Sequence, residues 1–217
     1  MLDTHPRIFV PDISKDISTL DLNIIAKQLN TLKPHKLINS SWPSFKTDTE
    51  SSFYIAHLQD TLLLKFKVSE TYFKASTRKI NDDVHLDNGV ECFISFFNDE
   101  NYYNLEFNCL GSLKVGYGAG RFNRELLPEK ILKSIKTYTT LQHDKTLNQF
   151  NWEILISVPI DVFMFSNLKT LKGLSAKANF YKCGDDLPKP DYLSWTFMDT
   201  LEPDFHQPNF FGDVFFS

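Results

Sequence analysis

The sequence predicts an all-β protein, a jelly-roll-like antiparallel β-sandwich with one or two short helices. Apolar and polar residues alternate along several short segments, and this period of two is the signature of a half-buried strand. The segments recur about every ten residues with turn-rich links between them, as in sandwiches. Aromatic residues make up 14% of the 217 residues, and such rings suit pleated sheets. We expect one domain over residues 1–217, with a lead-in over residues 1–50.

The clearest predicted strand covers residues 102–108. It places Tyr103, Leu105 and Phe107 on one face and polar side chains on the opposite face. A turn-rich link, residues 97–101, predicts a hairpin with the preceding strand. The other predicted strands are residues 62–68, 90–97, 111–118, 151–160 and 173–181, followed by late strands within "YLSWTF" and "GDVFFS".

Three segments have helical features. Residues 127–136 predict a helix with Pro128 in its first turn. Residues 159–165 predict a short helix or a turn, and residues 19–32 fit either a short helix or a strand with flanking loops.

The composition excludes several classes of protein. The net charge is −4 and no basic block occurs, so nucleic acid binding is not expected. No stretch approaches the roughly 18 apolar residues of a membrane span. The three cysteines lack CxxC spacing, which argues against zinc and a disulfide framework and favours a reducing compartment. No signal peptide is visible, so we expect a cytoplasmic protein, or a periplasmic or secreted one if a leader was removed.

Polar faces recur along the predicted strands and indicate a binding surface. Carboxylate, amide and phenol groups match sugar hydroxyls, which both donate and accept hydrogen bonds. The alternative is a solvent-facing side of an antiparallel sheet. Asn is unfavourable in strands, which favours a functional role. The polar set comprises Glu91, Tyr102, Asn104, Glu106, Asn108, Asn179 and Tyr181.

Two other functions also fit the residues. Glu91 and Glu106 could form the carboxylate pair of a small glycoside hydrolase, since retaining enzymes hold two carboxyls about 5–5.5 Å apart and neighbouring strands provide such spacing. A protein-interaction or accessory domain in a glycan-handling system is the third interpretation. It requires an aromatic surface patch without a pocket.

Loop motifs give weaker indications. "GYGAGR", residues 116–121, lies among strands and therefore predicts a glycine-bearing turn rather than a dinucleotide site, with Arg121 able to reach a ligand. No histidine has metal-site spacing. Asp82, Asp83 and Asp87 could hold a structural calcium ion or form a solvated loop, and no cofactor is expected to be required.

The stretch of residues 179–197, "NFYKCGDDLPKPDYLSWTF", could be a metal knuckle, a catalytic loop or a ligand-gripping rim. Cys183 has no second cysteine nearby, and no histidine lies within the stretch, which excludes the first and disfavours the second. The third interpretation holds Lys182 at a rim. Trp195 is then either a ligand platform or simply buried.

Two groups of segments resemble carbohydrate-binding module family 9-like domains, bacterial proteins similar to the sugar-binding module of some xylanases. They are "DDVHLDNGVECFISF…YYNLEFNCLGSLKVGYGAGR" and "KANFYKCGDDLPKPDYLSW…PDFHQPNFFG". The resemblance covers residues 50–217. It implies a β-sandwich that binds an oligo- or polysaccharide without cleaving it, in polysaccharide catabolism.

The resemblance also implies roles for individual residues. In sugar-binding members two aromatic side chains clamp a sugar. His85 occupies the first clamp position, and Lys182 lies near the second, so both differ from the family pattern. Glu91 matches the acidic residue of the V-E-x-F signature, and Asn179 matches the asparagine of the late strand. The expected sugar contacts are His85, Glu91, Asn104, Glu106, Arg121, Asn179, Tyr181, Lys182 and Trp195, with Tyr181 or Trp195 as substitute platforms.

Overall fold

The computed structural model describes residues 6–15, 17 and 21–217, and the strands of these residues form two sheets packed face to face. The strands are β1 Arg7–Val10, β2 His35–Leu37, β3 Glu50–Leu58, β4 Thr61–Glu70, β5 Gly89–Phe96, β6 Tyr102–Asn108, β7 Leu113–Gly118, β8 Glu125–Leu126, β9 Lys136–Asp144, β10 Gln149–Pro159, β11 Ser175–Cys183, β12 Leu193–Ser194 and β13 Gly212–Phe216. The α-helices are α1 Leu22–Leu29 and α2 Glu129–Leu132.

The first sheet has the strand order β1-β13-β11-β5-β6-β7-β8, with β12 added beside β11. The second sheet has the order β2-β3-β4-β10-β9. The pair β1 and β13 is parallel, whereas every other strand pair among the described residues is antiparallel. The predicted all-β sandwich with two short helices is therefore confirmed.

The core lies between the two sheets and is filled by alternate residues of their strands. Tyr103, Leu105 and Phe107 of β6 all enter this core, as their alternation predicts. Phe53 of the second sheet stacks on Phe180 of the first, with ring centroids 4.0 Å apart. Each such buried ring contributes roughly 1.5–3 kcal/mol relative to exposure.

All the predicted strands are present, although several bounds differ. The hairpin between β5 and β6 is confirmed, and Phe97 and Asn98 in its turn have φ values of 57° and 58°, as the right-handed twist of hairpins favours. The helix predicted over residues 127–136 is reduced to the four residues of α2. Residues 160–162 form a single 3₁₀ turn within the segment 159–165.

The chain before residue 60 contains elements that the sequence patterns left open or did not indicate. Of the ambiguous segment 19–32, residues 22–29 are helical, and residues 19 and 20 lie outside the described residues. Asp21 caps this helix, because its carboxylate accepts hydrogen bonds from the backbone of Asn23 and Ile24. β1 joins the first sheet, and β2 and β3 join the second.

Backbone register places two rows of side chains on the outer face of the first sheet, the face away from the core. One row joins Tyr181, Glu91, Glu106 and Lys114 across four strands. The parallel row runs from Asn179 through Phe93, Asn104 and Gly116 to Leu126. These two rows position the site described next.

Neither helix in the described part of the chain is long and apolar enough to cross a membrane.

Candidate functional site

A cavity of about 420 Å³ opens on the outer face of the first sheet. Its size suits a small-molecule or sugar ligand, since such sites typically span about 300–1,000 Å³. The lining residues come from the sheet itself, the β7–β8 loop and the segments near residues 85, 185 and 205. They are His85, Glu91, Asn104, Glu106, Lys114, Gly116, Arg121, Phe122, Arg124, Leu126, Cys183, Asp185, Tyr192, Pro203, Asp204, Phe205 and His206.

Two carboxyl groups form the floor of the cavity. Glu91 and Glu106 lie directly opposite each other on β5 and β6 and are 5% and 6% exposed. The Cys183 thiol donates to Glu91 Oε1 over 3.2 Å, and the Asn104 amide donates to Glu106 Oε1. The other carboxyl oxygen of Glu106, Oε2, has no hydrogen-bond partner and lies 3.5 Å from His85 Nδ1. This set of three residues, Glu91, Asn104 and Glu106, is called the acidic floor below.

The carboxyl groups of the acidic floor are buried close together, which shifts pKa values in and around it. Burial raises the pKa of the Glu91 carboxyl well above its usual range, and the neighbouring Glu106 raises it further. The adjacent Glu106 carboxylate raises the pKa of His85, although burial of the ring opposes this. Glu91 is therefore biased towards the protonated form, which donates a hydrogen bond, and His85 towards the charged form.

Arg124 holds the acidic floor and the adjacent loop together. Its Nε donates to Asn104 Oδ1 over 2.8 Å, and one terminal nitrogen donates to the carbonyls of Gly118 and Gly120. The other donates to the Tyr102 carbonyl, and the guanidinium lies 4.3 Å from the centroid of the Tyr102 ring. With its donors used inside the protein, Arg124 positions Asn104 rather than presenting a free charge to a ligand.

Gly116 allows this close packing. A Cβ at this position would lie 2.8 Å from Asn104 Oδ1 and 3.4 Å from Arg124 Nε. Any side chain would displace one of them, so the glycine is needed for the floor's geometry.

The wall facing the β7–β8 loop is aromatic and comes from the long segment after β12. Phe205 stacks on the buried Tyr181 with ring centroids 4.1 Å apart, and the Tyr181 hydroxyl donates to the Phe205 carbonyl over 3.1 Å. The Tyr102 hydroxyl lies 2.9 Å from His206 Nδ1. Burial lowers the pKa of His206 to about 4, so its imidazole is neutral at pH 7.

Residues near 85 and 185 close the remaining side. The Asp185 amide donates to the His85 carbonyl over 3.0 Å, which ties the two loops together. Burial raises the pKa of the Asp185 carboxyl, and the nearby His85 and a hydrogen bond from Tyr192 oppose that shift. Asp185, Tyr192, Phe205 and His206 were not among the sequence-predicted contacts. The polar and aromatic stretches "GDD", "KPDYLSW" and "PDFHQP" are their only local signal.

Five of the nine predicted sugar contacts line this cavity, namely His85, Glu91, Asn104, Glu106 and Arg121. The solvent-facing interpretation of the polar strand face is wrong, because the acidic floor is almost completely buried.

Lys182 does not lie at a rim, and this prediction is wrong. Strand β11 continues to Cys183, so Lys182 keeps the alternation of its strand and points into the core. It is 0% exposed, and its Nζ lies 2.5 Å from Glu70 Oε2 and 3.4 Å from Asp191 Oδ2.

Asn179, Tyr181 and Trp195 are also absent from the cavity lining. Asn179 is completely buried and accepts a hydrogen bond from the Thr196 amide over 3.0 Å. Tyr181 lies beneath Phe205 and supports the wall without reaching its surface. The Trp195 ring is partly buried against Phe180 and would clash with any Cβ at Gly212, which favours its alternative interpretation as a structural residue.

The aspartates considered for calcium already have protein partners. Arg78 makes two hydrogen bonds with Asp87, of 2.8 and 2.9 Å, and Lys114 pairs with Asp83. Asp82 accepts from the Lys79 amide. Among the described residues no group of three or more His, Cys, Asp or Glu side chains could hold a metal ion.

A second recess of about 760 Å³ lies against the second sheet. Serine, threonine and lysine side chains dominate its lining, and Trp152, the one aromatic residue there, is 1% exposed. It therefore lacks an accessible ring for stacking.

Comparisons with known proteins agree with the fold. The family model described as "Carbohydrate-binding family 9" matches residues 22–216. A crystal structure of a candidate carbohydrate-binding protein from Bacteroides uniformis is 31% identical, with a TM-score of 0.89, and the match covers 99% of this chain and 100% of that chain. No curated protein matched the sequence.

Two further structures are of a family 9 carbohydrate-binding module from Caldicellulosiruptor kristjanssonii. The complex with glucose is 14% identical with a TM-score of 0.64, and covers 98% of this chain and 96% of that one. The complex with cellotriose is 15% identical with a TM-score of 0.61, and covers 97% and 93% respectively. At this identity the likeness concerns the fold.

Proposed function

This chain belongs to carbohydrate-binding family 9, and from that premise we propose that its outer-face cavity binds a sugar unit of a glycan without cleaving it. Such a module would serve the breakdown of polysaccharides by attaching to their chains.

One observation carries the proposal. Glu106 lines the cavity, and its buried Oε2 accepts no hydrogen bond among the described residues, with His85 Nδ1 3.5 Å away. Leaving a buried acceptor unsatisfied costs about 1–3 kcal/mol, and more for a charged group. A sugar hydroxyl entering the cavity would donate to this oxygen and recover that energy.

The neighbouring groups support the same ligand. Glu91, biased towards its protonated form, would donate to a second hydroxyl, because burial raises its pKa. Arg121 is exposed at the mouth and has unused guanidinium donors. The rings of Tyr192 and Phe205, 5.9 Å apart, supply apolar surface for the C–H groups of a pyranose.

Binding is expected to be weak. Each hydrogen bond contributes only ~0.5–1.5 kcal/mol net, so a short glycan should bind with a dissociation constant on the order of 0.1–1 mM, about −4 to −5.5 kcal/mol.

The test is a glycan array followed by titration calorimetry on the sugars it selects. Glu106→Gln keeps the shape of the side chain and removes the charged acceptor, so binding should weaken about tenfold to hundredfold. Glu129→Gln, on the surface of α2, is the matched control, because its side chain is 62% exposed and away from the cavity. Absence of binding to every glycan, or equal losses in the two variants, would refute the proposal.

A panel of chromogenic glycosides tests the hydrolase alternative. A glycosidase would release products from chromogenic glycosides and lose turnover in Glu91→Gln and Glu106→Gln, whereas a binding module would leave all substrates intact.

A further inference from the structure

The β7–β8 loop holds a large aromatic ring in solvent at the mouth of the cavity. Phe122 is 79% exposed and nevertheless belongs to the cavity lining. Leu126 of β8, 47% exposed, lines the same side. A single exposed ring is common on protein surfaces, but an exposed ring that lines a polar cavity could contact a ligand bound there.

The position of Phe122 is determined by the residues that build the acidic floor. Arg124 binds the carbonyls of Gly118 and Gly120 on one side and Asn104 on the other. Asn123, between Phe122 and Arg124, adopts a φ of 57°, a left-handed conformation that Asn tolerates. These contacts fix the loop to the floor and so define the position of Phe122 at the cavity.

The outer-face row that contains Asn104 leads from the floor towards Phe122. It passes from Asn104 to Gly116 and ends at Leu126 on the edge strand β8. Because Gly116 has no side chain, the Arg124 side chain lies flat across this position. A glycan that extends from the floor along this row would meet first the Arg124 guanidinium and then Leu126 at the apolar edge of the sheet.

Arg121 adds hydrogen-bonding capacity next to the ring. Its guanidinium carbon lies 6.0 Å from the centroid of the Phe122 ring. An aromatic face with charged donors beside it matches a pyranose, whose C–H face is apolar and whose rim carries hydroxyls.

We propose that Phe122 is the stacking platform for a second sugar unit, so that this domain recognises glycans of at least two linked units. The inference rests on the proposed function, because the first unit must occupy the cavity. It adds a second subsite at the mouth of the cavity, formed by the lining residues Phe122, Arg121 and Leu126.

The experiment compares oligomers of different length by titration calorimetry. The probes are glucose, cellobiose and cellotriose, with xylose and its β-1,4-linked dimer and trimer as a second series. The natural chain should bind the dimer about three- to tenfold more tightly than the monomer, and Phe122→Ala should bring this ratio close to one. Phe122→Trp should keep or increase the ratio.

Phe197→Ala is the matched control, since Phe197 is 56% exposed and does not line the cavity. It should leave the ratio unchanged. Equal ratios in the natural chain and in Phe122→Ala would overturn the second subsite while leaving the first intact. Failure of the natural chain to bind both these sugars and every glycan of the array would instead overturn the proposed function, and the second subsite with it.

Discussion

The two faces of strand β11 each carry a buried acidic cluster, and the two clusters differ in how their charges are balanced. On the core face Glu70 and Asp191 surround Lys182. On the outer face Glu91 and Glu106 lie side by side, with Cys183 donating to the first and the partly exposed His85 close to the second.

The core cluster is closed by the protein itself. Trp152 Nε1 donates to Glu70 Oε1 over 2.6 Å, and Thr47 Oγ1 donates to Asp191 Oδ2 over 2.8 Å. Burial alone would lower the pKa of Lys182, but the adjacent Glu70 and Asp191 carboxylates outweigh it and raise the pKa. An internal ammonium balancing two carboxylates leaves no role for a ligand.

The outer cluster is left open. No Lys or Arg side chain forms an ion pair with Glu91 or Glu106 among the described ion pairs, and Glu106 Oε2 faces a cavity. The comparison teaches that burial of acidic residues does not by itself mark a site. What distinguishes the outer cluster is the cavity beside its carboxyl groups and the absence, among the described ion pairs, of a lysine or arginine partner.

Removing the internal cation gives the largest expected effect. Lys182→Met would leave Glu70 and Asp191 buried without their partner, which should lower the free energy of unfolding by about 3–5 kcal/mol. Lys177→Met, five residues earlier and on the outer face of β11, removes a surface pair with Asp213 and should cost about 0–1 kcal/mol. Urea denaturation measures both. Similar losses in the two variants would contradict the assignment of Lys182 to a core network.

Glu91→Gln should change how stability depends on pH. The raised pKa of Glu91 means that the folded protein holds a proton that the unfolded chain releases above its ordinary value of 4.5. The free energy of unfolding therefore falls as pH rises from 4.5 towards the raised pKa. The glutamine cannot ionise, so the variant should gain stability over the natural chain as pH increases, as measured by urea denaturation at pH 5 and pH 8. An identical pH dependence in both proteins would contradict a protonated Glu91.

The smallest expected effect concerns His85, which is 31% exposed in its side chain. Its raised pKa means that the pairing with Glu106 stabilises the fold fully below pH 6.5 and is lost as pH rises through the folded-state value. His85→Gln should therefore cost roughly 0.5–1 kcal/mol at pH 5.5 and nothing at pH 9. A loss that is equal at both pH values would show that the ring acts through packing alone.

The local alternation of apolar and polar residues was sufficient to predict much of the fold. Alternation along β6 assigned Tyr103, Leu105 and Phe107 to the core correctly, because the period of two belongs to any strand with one buried face. The sequence analysis did not predict β9, because it is an edge strand whose residues are mostly exposed and polar. Lys182 was misplaced because the predicted strand stopped at residue 181, whereas β11 continues to 183.

The candidate site was predicted in part. Glu91, Asn104 and Glu106 lie on strands whose alternation is visible in the sequence, so their shared face could be predicted. The aromatic wall includes Phe205 and His206, which reach the floor only because the chain after β12 folds back across the sheet. Residue alternation within a strand cannot predict where a segment that follows much later in the chain will pack.

The sequence by itself determined the sandwich, its family membership and the outward face of its central strands, because side-chain alternation is a property of the strand alone. Only the tertiary structure decided which buried acids are balanced by Lys182 and which remain open to a ligand. Charge compensation depends on groups from distant strands meeting within a few ångströms, and that meeting is a consequence of packing.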